Sequence, residues 1–88
     1  MKVTEAISLI KAGLEKTKYS DIEVLVLPAL RGRILIETYG RLNGEKYGDS
    51  IRPKVEHLRG EGYIVQSDVM LVHSIIKNWQ IESPYVRN

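Results

Sequence analysis

Apolar and polar side chains alternate along the stretch from Ile22 to Gly48, IEVLVLPALRGRILIETYGRLNGEKYG. A period of two belongs to strands with one face buried, so this stretch predicts three antiparallel strands joined by two turns. Asn43-Gly44 is the stronger turn signal, because both residues tolerate positive φ in a two-residue hairpin. Such a turn sets Leu42 opposite Glu45, Arg41 opposite Lys46 and Gly40 opposite Tyr47. Upstream, Pro28 to Gly32 reads as a five-residue connection between a strand-stopping proline and a permissive glycine. That connection places Leu27 opposite Arg33, Val26 opposite Ile34, Val24 opposite Ile36 and Glu23 opposite Glu37.

The register sorts the side chains onto two faces. Ile22, Val24, Val26, Ile34, Ile36, Thr38 and Leu42 form a core face, with Tyr47 lying across Gly40. The opposite face has an apolar end of Leu25, Leu27 and Leu35. Its other end is polar, with Glu23, Glu37, Tyr39, Arg41 and Lys46. Contiguous leucines on a sheet surface call for a cover, either a helix of the same chain or a second subunit.

Helical spacing appears outside the sheet. Val3, Ile7, Ile10 and Leu14 recur as a stripe, Thr4 can cap it, and Glu5 suits the positive end of the dipole, which predicts a helix over 4–18. A second helix is expected from Asp49 or Ser50. Pro53 would fall in its first turn, Ile51, Val55 and Leu58 would face inward, and Gly60 or Gly62 would stop it. Tyr63 to Gln66 reads as a short strand. For 68–80, Val69, Val72, Ile76 and Trp79 fit a helical stripe, although Val, Leu, Ile and Trp crowded together also suit a strand; helix is the reading adopted. The expectation is an α+β fold, a mostly antiparallel sheet with packed helices in the order α-β-β-β-α-β-α. Residues 1–82 form a single compact domain, with 83–88 as a flexible tail.

At 88 residues, the chain is sized for one small domain with a single core. The absence of cysteine excludes disulfides and thiolate metal sites and fits a reducing compartment. A formal net charge of only +2 is mildly compatible with a polyanionic partner. MKVTEAISLI has an early Glu5 and no charged region feeding an apolar core, so no signal peptide is expected. No apolar run approaches the roughly 20 residues that span a bilayer, so the expectation is a soluble, cytoplasmic protein with no membrane partner.

Candidate chemistry is concentrated on the sheet. Arg31, Arg33, Arg41 and Lys46 form a basic set with Tyr39 on the same face. Arg41 opposite Lys46 is a like-charge pair that a phosphate would relieve, and a neighbouring tyrosine can stack on a base. The competing reading is a solvated face on which Glu23 and Glu37 neutralise the arginines through weak ion pairs. Glu23 opposite Glu37 could instead hold a divalent cation or act as an acid/base pair, but a one-residue slip of register would separate them. His57 and His73 have no cysteine or carboxylate at ligand spacing. GRLNGEKYG lacks the lysine-serine ending of a phosphate loop, and none of the serines lies in a nucleophile elbow. No catalytic residue, metal or cofactor is therefore expected. The leading expectation is a non-enzymatic binding protein that meets DNA or RNA through Arg31, Arg33, Tyr39, Arg41 and Lys46. It would dimerise through Leu25, Leu27 and Leu35, together with Trp79 and Tyr85 from the C-terminal part of the chain. The alternative is a homo-oligomeric or inhibitory protein–protein module.

Overall fold

Residues 1–65 and 73–77 are described by a computed structural model of the chain. The helix α1, Val3–Glu15, is followed by β1, Ser20–Pro28, β2, Ile34–Leu42, and β3, Glu45–Ile51. Two short strands complete the sheet region, β4, Val55–Leu58, and β5, Glu61–Ile64; residues 73–77 are helical. The fold is α+β, with antiparallel pairing throughout.

α1 buries Ala6, Ile10 and Leu14, one residue per turn along a single stripe. It starts at Val3 with Lys2 as N-cap and no side-chain cap, two residues earlier than Thr4 capping predicts. Chain pairing determines that start: Met1 accepts a hydrogen bond from the Ile64 amide at 2.8 Å, and Lys2 bridges Tyr63, so the helix begins where the β5 contact ends. At the other end the Thr17 hydroxyl donates to the Leu14 carbonyl, and the chain leaves toward β1 through Tyr19.

β1, β2 and β3 form a three-stranded sheet in sequence order. The Asn43-Gly44 hairpin has the predicted register, Leu42 with Glu45, Arg41 with Lys46 and Gly40 with Tyr47. Its turn residues have φ of 53° and 81°, both left-handed. The first hairpin is slipped by two residues from expectation: Leu27 pairs with Leu35, Val26 with Ile36, Val24 with Thr38 and Glu23 with Tyr39. The physical reason is the turn. The chain reverses at Arg31-Gly32, with φ of 61° and 68°, and Ala29 donates to the Arg33 carbonyl, so the arms extend past Pro28. A two-residue slip preserves the faces, which is why Ile36 and Thr38 are still buried.

The predicted second helix over 50–60 is instead strand. Ile51, Pro53 and Val55 alternate with Arg52, Lys54 and Glu56, and the chain continues alongside β2 without slip, from Ile36 with Ile51 to Arg33 with Lys54. Pro53 has no amide hydrogen, but its carbonyl accepts from the Ile34 amide at 3.2 Å, and the Val55 amide donates to Gly32 at 2.9 Å. Beyond Val55 the chain turns away and pairs with β5 through a second two-residue turn, Arg59-Gly60, with φ of 54° and 81°. The element order is therefore α-β-β-β-β-β-α. The strand foreseen at 63–66 overlaps β5 only at Tyr63 and Ile64: β5 starts at Glu61, Val65 follows its end, and Gln66 lies outside the described residues.

The core lies between the inner face of the sheet and α1. Ile36, Val55, Ile64 and Tyr19 join Ala6, Ile10 and Leu14, and Ile75 of the helical segment closes it. Each Ile or Leu fully removed from water contributes about 1.5–3 kcal/mol. Tyr19 and Tyr47 meet with ring centroids 5.8 Å apart. Ile76 occupies the space above Gly13 where a Cβ would sit, which fixes the helical segment against α1. Of the helix expected over 68–80, residues 73–77 are helical; the remainder of it, together with Trp79, Tyr85 and the 83–88 tail, lies outside the described residues.

Candidate nucleic-acid interface

Odd-numbered side chains of β2 point away from the core, and no described helix packs on the outer face they form. Arg33 stands at one end of this face and Arg41 at the other, separated by roughly 26 Å of extended chain. Each is opposed by a lysine on the neighbouring strand, Arg33 by Lys54 and Arg41 by Lys46. Like charges facing across strands destabilise a sheet by some tenths of a kcal/mol. At the Arg41 end the side chains diverge: Arg41 Nη1 donates to the Gly44 carbonyl at 3.2 Å, and Lys46 Nζ lies 4.5 Å from the centroid of the Tyr39 ring.

Tyr39 is placed by its cross-strand partner Gly48. A Cβ on Gly48 would come within 2.8 Å of the Tyr39 ring carbons, so the ring lies flat over the strand because glycine leaves room. Its hydroxyl donates to Glu37 Oε2 at 2.6 Å. That hydrogen bond raises the Tyr39 pKa above the ordinary tyrosine value; desolvation and the charges of Glu37 and Glu23 act in the same direction. Beside the ring, Glu37, Gly48, Asp49 and Ser50 border a shallow polar hollow of about 360 Å³.

The structure divides the predicted basic set in two. Tyr39, Arg41 and Lys46 stand together at the Asn43-Gly44 end, whereas Arg31 and Arg33 belong to the other end of the sheet. There they are joined by Arg52, a residue that the helix reading of 50–60 had turned away from the sheet. Arg33 Nη1 donates to the Arg52 carbonyl at 2.9 Å. The strand alternation of Ile51, Pro53 and Val55 was the sequence signal that could have found Arg52. Glu23 and Glu37 are not opposed: Glu23 faces Tyr39, and Glu37 faces Leu25. Among the described residues, no group of three or more His, Asp or Glu is placed to hold a metal ion.

Leu25 and Leu27 are exposed at 41% and 42%, and Leu35 between β1 and β3 is half-buried. Nothing among the described residues places a helix over them, since α1 packs on the inner side. No helix among the described residues is long and apolar enough to cross a membrane.

Fold and face together define a small α+β domain with one open, amphiphilic sheet surface. No protein-family model matches the chain, and neither curated protein sequences nor solved structures provide a match.

Proposed function

We propose that the chain is a non-enzymatic binding module that holds single-stranded nucleic acid across the outer face of β1–β3. The observation that carries this reading is Tyr39, laid flat on Gly48 with the Lys46 ammonium above its ring. A base stacking on Tyr39 takes the place of the ammonium, and the displaced lysine is then within reach of the phosphate of the same nucleotide. Base–aromatic stacking contributes about 1–3 kcal/mol per base without sequence preference. The basic pairs at the two ends of β2 lie far enough apart to contact phosphates several nucleotides distant, so the strand would run along β2 from Arg41 toward Arg33 and Arg31.

Titration of labelled mixed-sequence single strands, DNA and RNA, at low salt tests this. Binding should fall steeply with salt, and Arg41→Ala or Lys46→Ala should each lower the salt slope by about one unit. Tyr39→Ala should weaken binding to single strands more than to duplex. Absence of any complex at low salt removes the nucleic-acid reading.

The exposed Leu25 and Leu27 beside Leu35 support a second reading, self-association through the apolar end of the same face. In that case the outer strand β1 meets its counterpart in a second copy, and the arginines form a rim to the interface.

A further inference from the structure

At the Arg31-Gly32 turn the outer face has a hollow of about 430 Å³, within the roughly 300–1,000 Å³ typical of small-ligand sites. Pro28, Ala29, Leu30 and Leu35 form its apolar lining, and among the described residues that line it Arg31, Arg33 and Arg52 are the charged ones. None of these lining residues is acidic. The three guanidinium groups come from the turn, from the residue just before β2 and from the residue just after β3. Arg31 is held in the left-handed region at φ 61°, Arg33 is anchored by its bond to the Arg52 carbonyl, and Arg52 comes from the chain between β3 and β4. Leu30 is 84% exposed at the mouth, an unusual degree of exposure for a large apolar side chain.

An apolar lining with three cations at its edge selects an anionic head on an apolar body. Guanidinium presents paired donors that match a carboxylate, and the bond strengthens where apolar walls exclude water. We infer that this hollow is a binding site for a small organic carboxylate with a short hydrocarbon chain. The head lies among Arg31, Arg33 and Arg52, and the chain lies on Leu30, Leu35 and Pro28. This site shares Arg31 and Arg33 with the far end of the proposed nucleic-acid path and stands apart from the Tyr39 platform, which lies six residues, about 20 Å, further along β2.

The test uses the full chain, isotope-labelled, titrated in turn with octanoate, octanol and inorganic phosphate while amide shifts are followed, with affinities from calorimetry. Octanoate should shift the amides of 30–35 and 52, and should bind about tenfold more tightly than either octanol or phosphate, as expected for a charge-assisted bond added to apolar contact. Arg52→Ala keeps the backbone carbonyl that anchors Arg33, so it should weaken octanoate about tenfold while the remaining spectrum stays folded. Leu30→Ser, at an exposed position, should reduce the preference for octanoate over phosphate. Tyr39→Ala should leave octanoate unaffected while it weakens single-stranded nucleic acid, which separates this site from the Tyr39 platform. Equal affinity for phosphate and octanoate would show an anion patch without a chain site and overturn the inference. So would equal affinity for octanol, shifts confined to other residues, or no shifts at all.

Discussion

Gly48 has no Cβ, and the Tyr39 ring lies where one would stand. Gly48→Val should therefore displace the ring and cost about 1 kcal/mol of stability, at the lower end of overpacking because the site is near the surface. If the ring is the nucleic-acid platform, Gly48→Val and Tyr39→Ala should weaken binding by amounts that do not add, since each removes the same stacking surface. The hydroxyl of Tyr39 provides a second measurement. Its pKa is raised by the hydrogen bond to Glu37, so the stability this proton contributes is complete below the ordinary tyrosine pKa near 10 and is lost as pH rises through the higher folded value. In an alkaline titration followed by tyrosinate absorbance, Tyr39 should ionise later than an ordinary tyrosine, and Glu37→Gln should bring it earlier. Lys2 is raised in the same sense by its hydrogen bond and ion pair with Glu61, 3.4 Å away. Its contribution is likewise lost only at alkaline pH, above the lysine range.

At the scale of elements, the two-residue turns decide the topology. Asn43-Gly44 has the residues that a doubly left-handed turn favours, whereas Arg59-Gly60 makes the same turn with arginine at the first position. Arginine resists positive φ more than asparagine does, so Arg59→Asn should raise stability by about 0.5 kcal/mol, seen as a higher urea midpoint at unchanged slope. A loss of stability would mean that Arg59 makes a compensating contact. The sheet's two sides should also respond unequally. Ile36→Ala, at 1% exposure, should cost about 2–5 kcal/mol, while Leu25→Ala should cost about 0.5 kcal/mol or less in the monomer.

For the molecule as a whole, the outer face has an apolar side on β1 and cationic ends on β2. If two copies join through the leucines, sedimentation should show a dimer at micromolar protein, and Leu25→Lys with Leu27→Lys should return it to monomer without unfolding. Both positions are solvent-facing, so an unfolded variant is not the expected result. A wild-type chain that stays monomeric at high concentration would leave the leucines to another partner. Salt distinguishes the two associations: it weakens phosphate contacts and leaves apolar dimerisation largely intact.

Local chemistry determined a good part of this structure. The stripe Val3, Ile7, Ile10 and Leu14 predicted α1, whose buried side chains are Ala6, Ile10 and Leu14, Asn43-Gly44 specified a hairpin and its register, and alternation along β2 assigned its inner and outer faces. These depend on neighbours a few residues apart, so the sequence alone contains them. The segment from Ile51 to Leu58 did not yield to the same reasoning, because Ile51, Val55 and Leu58 fit a helical stripe while Ile51, Pro53 and Val55 fit a strand. The tertiary structure chose between them: β2 offered unpaired backbone before Ile36, the Pro53 carbonyl and Val55 amide satisfied backbone there, and Val55 paired with Ile64 of β5, whose amide donates to the Met1 carbonyl. The same choice brought Arg52 beside Arg33 and separated Arg31 and Arg33 from Tyr39, Arg41 and Lys46. Which cations share a site depends on pairing between distant strands, and that pairing is settled only when the whole sheet closes over its core.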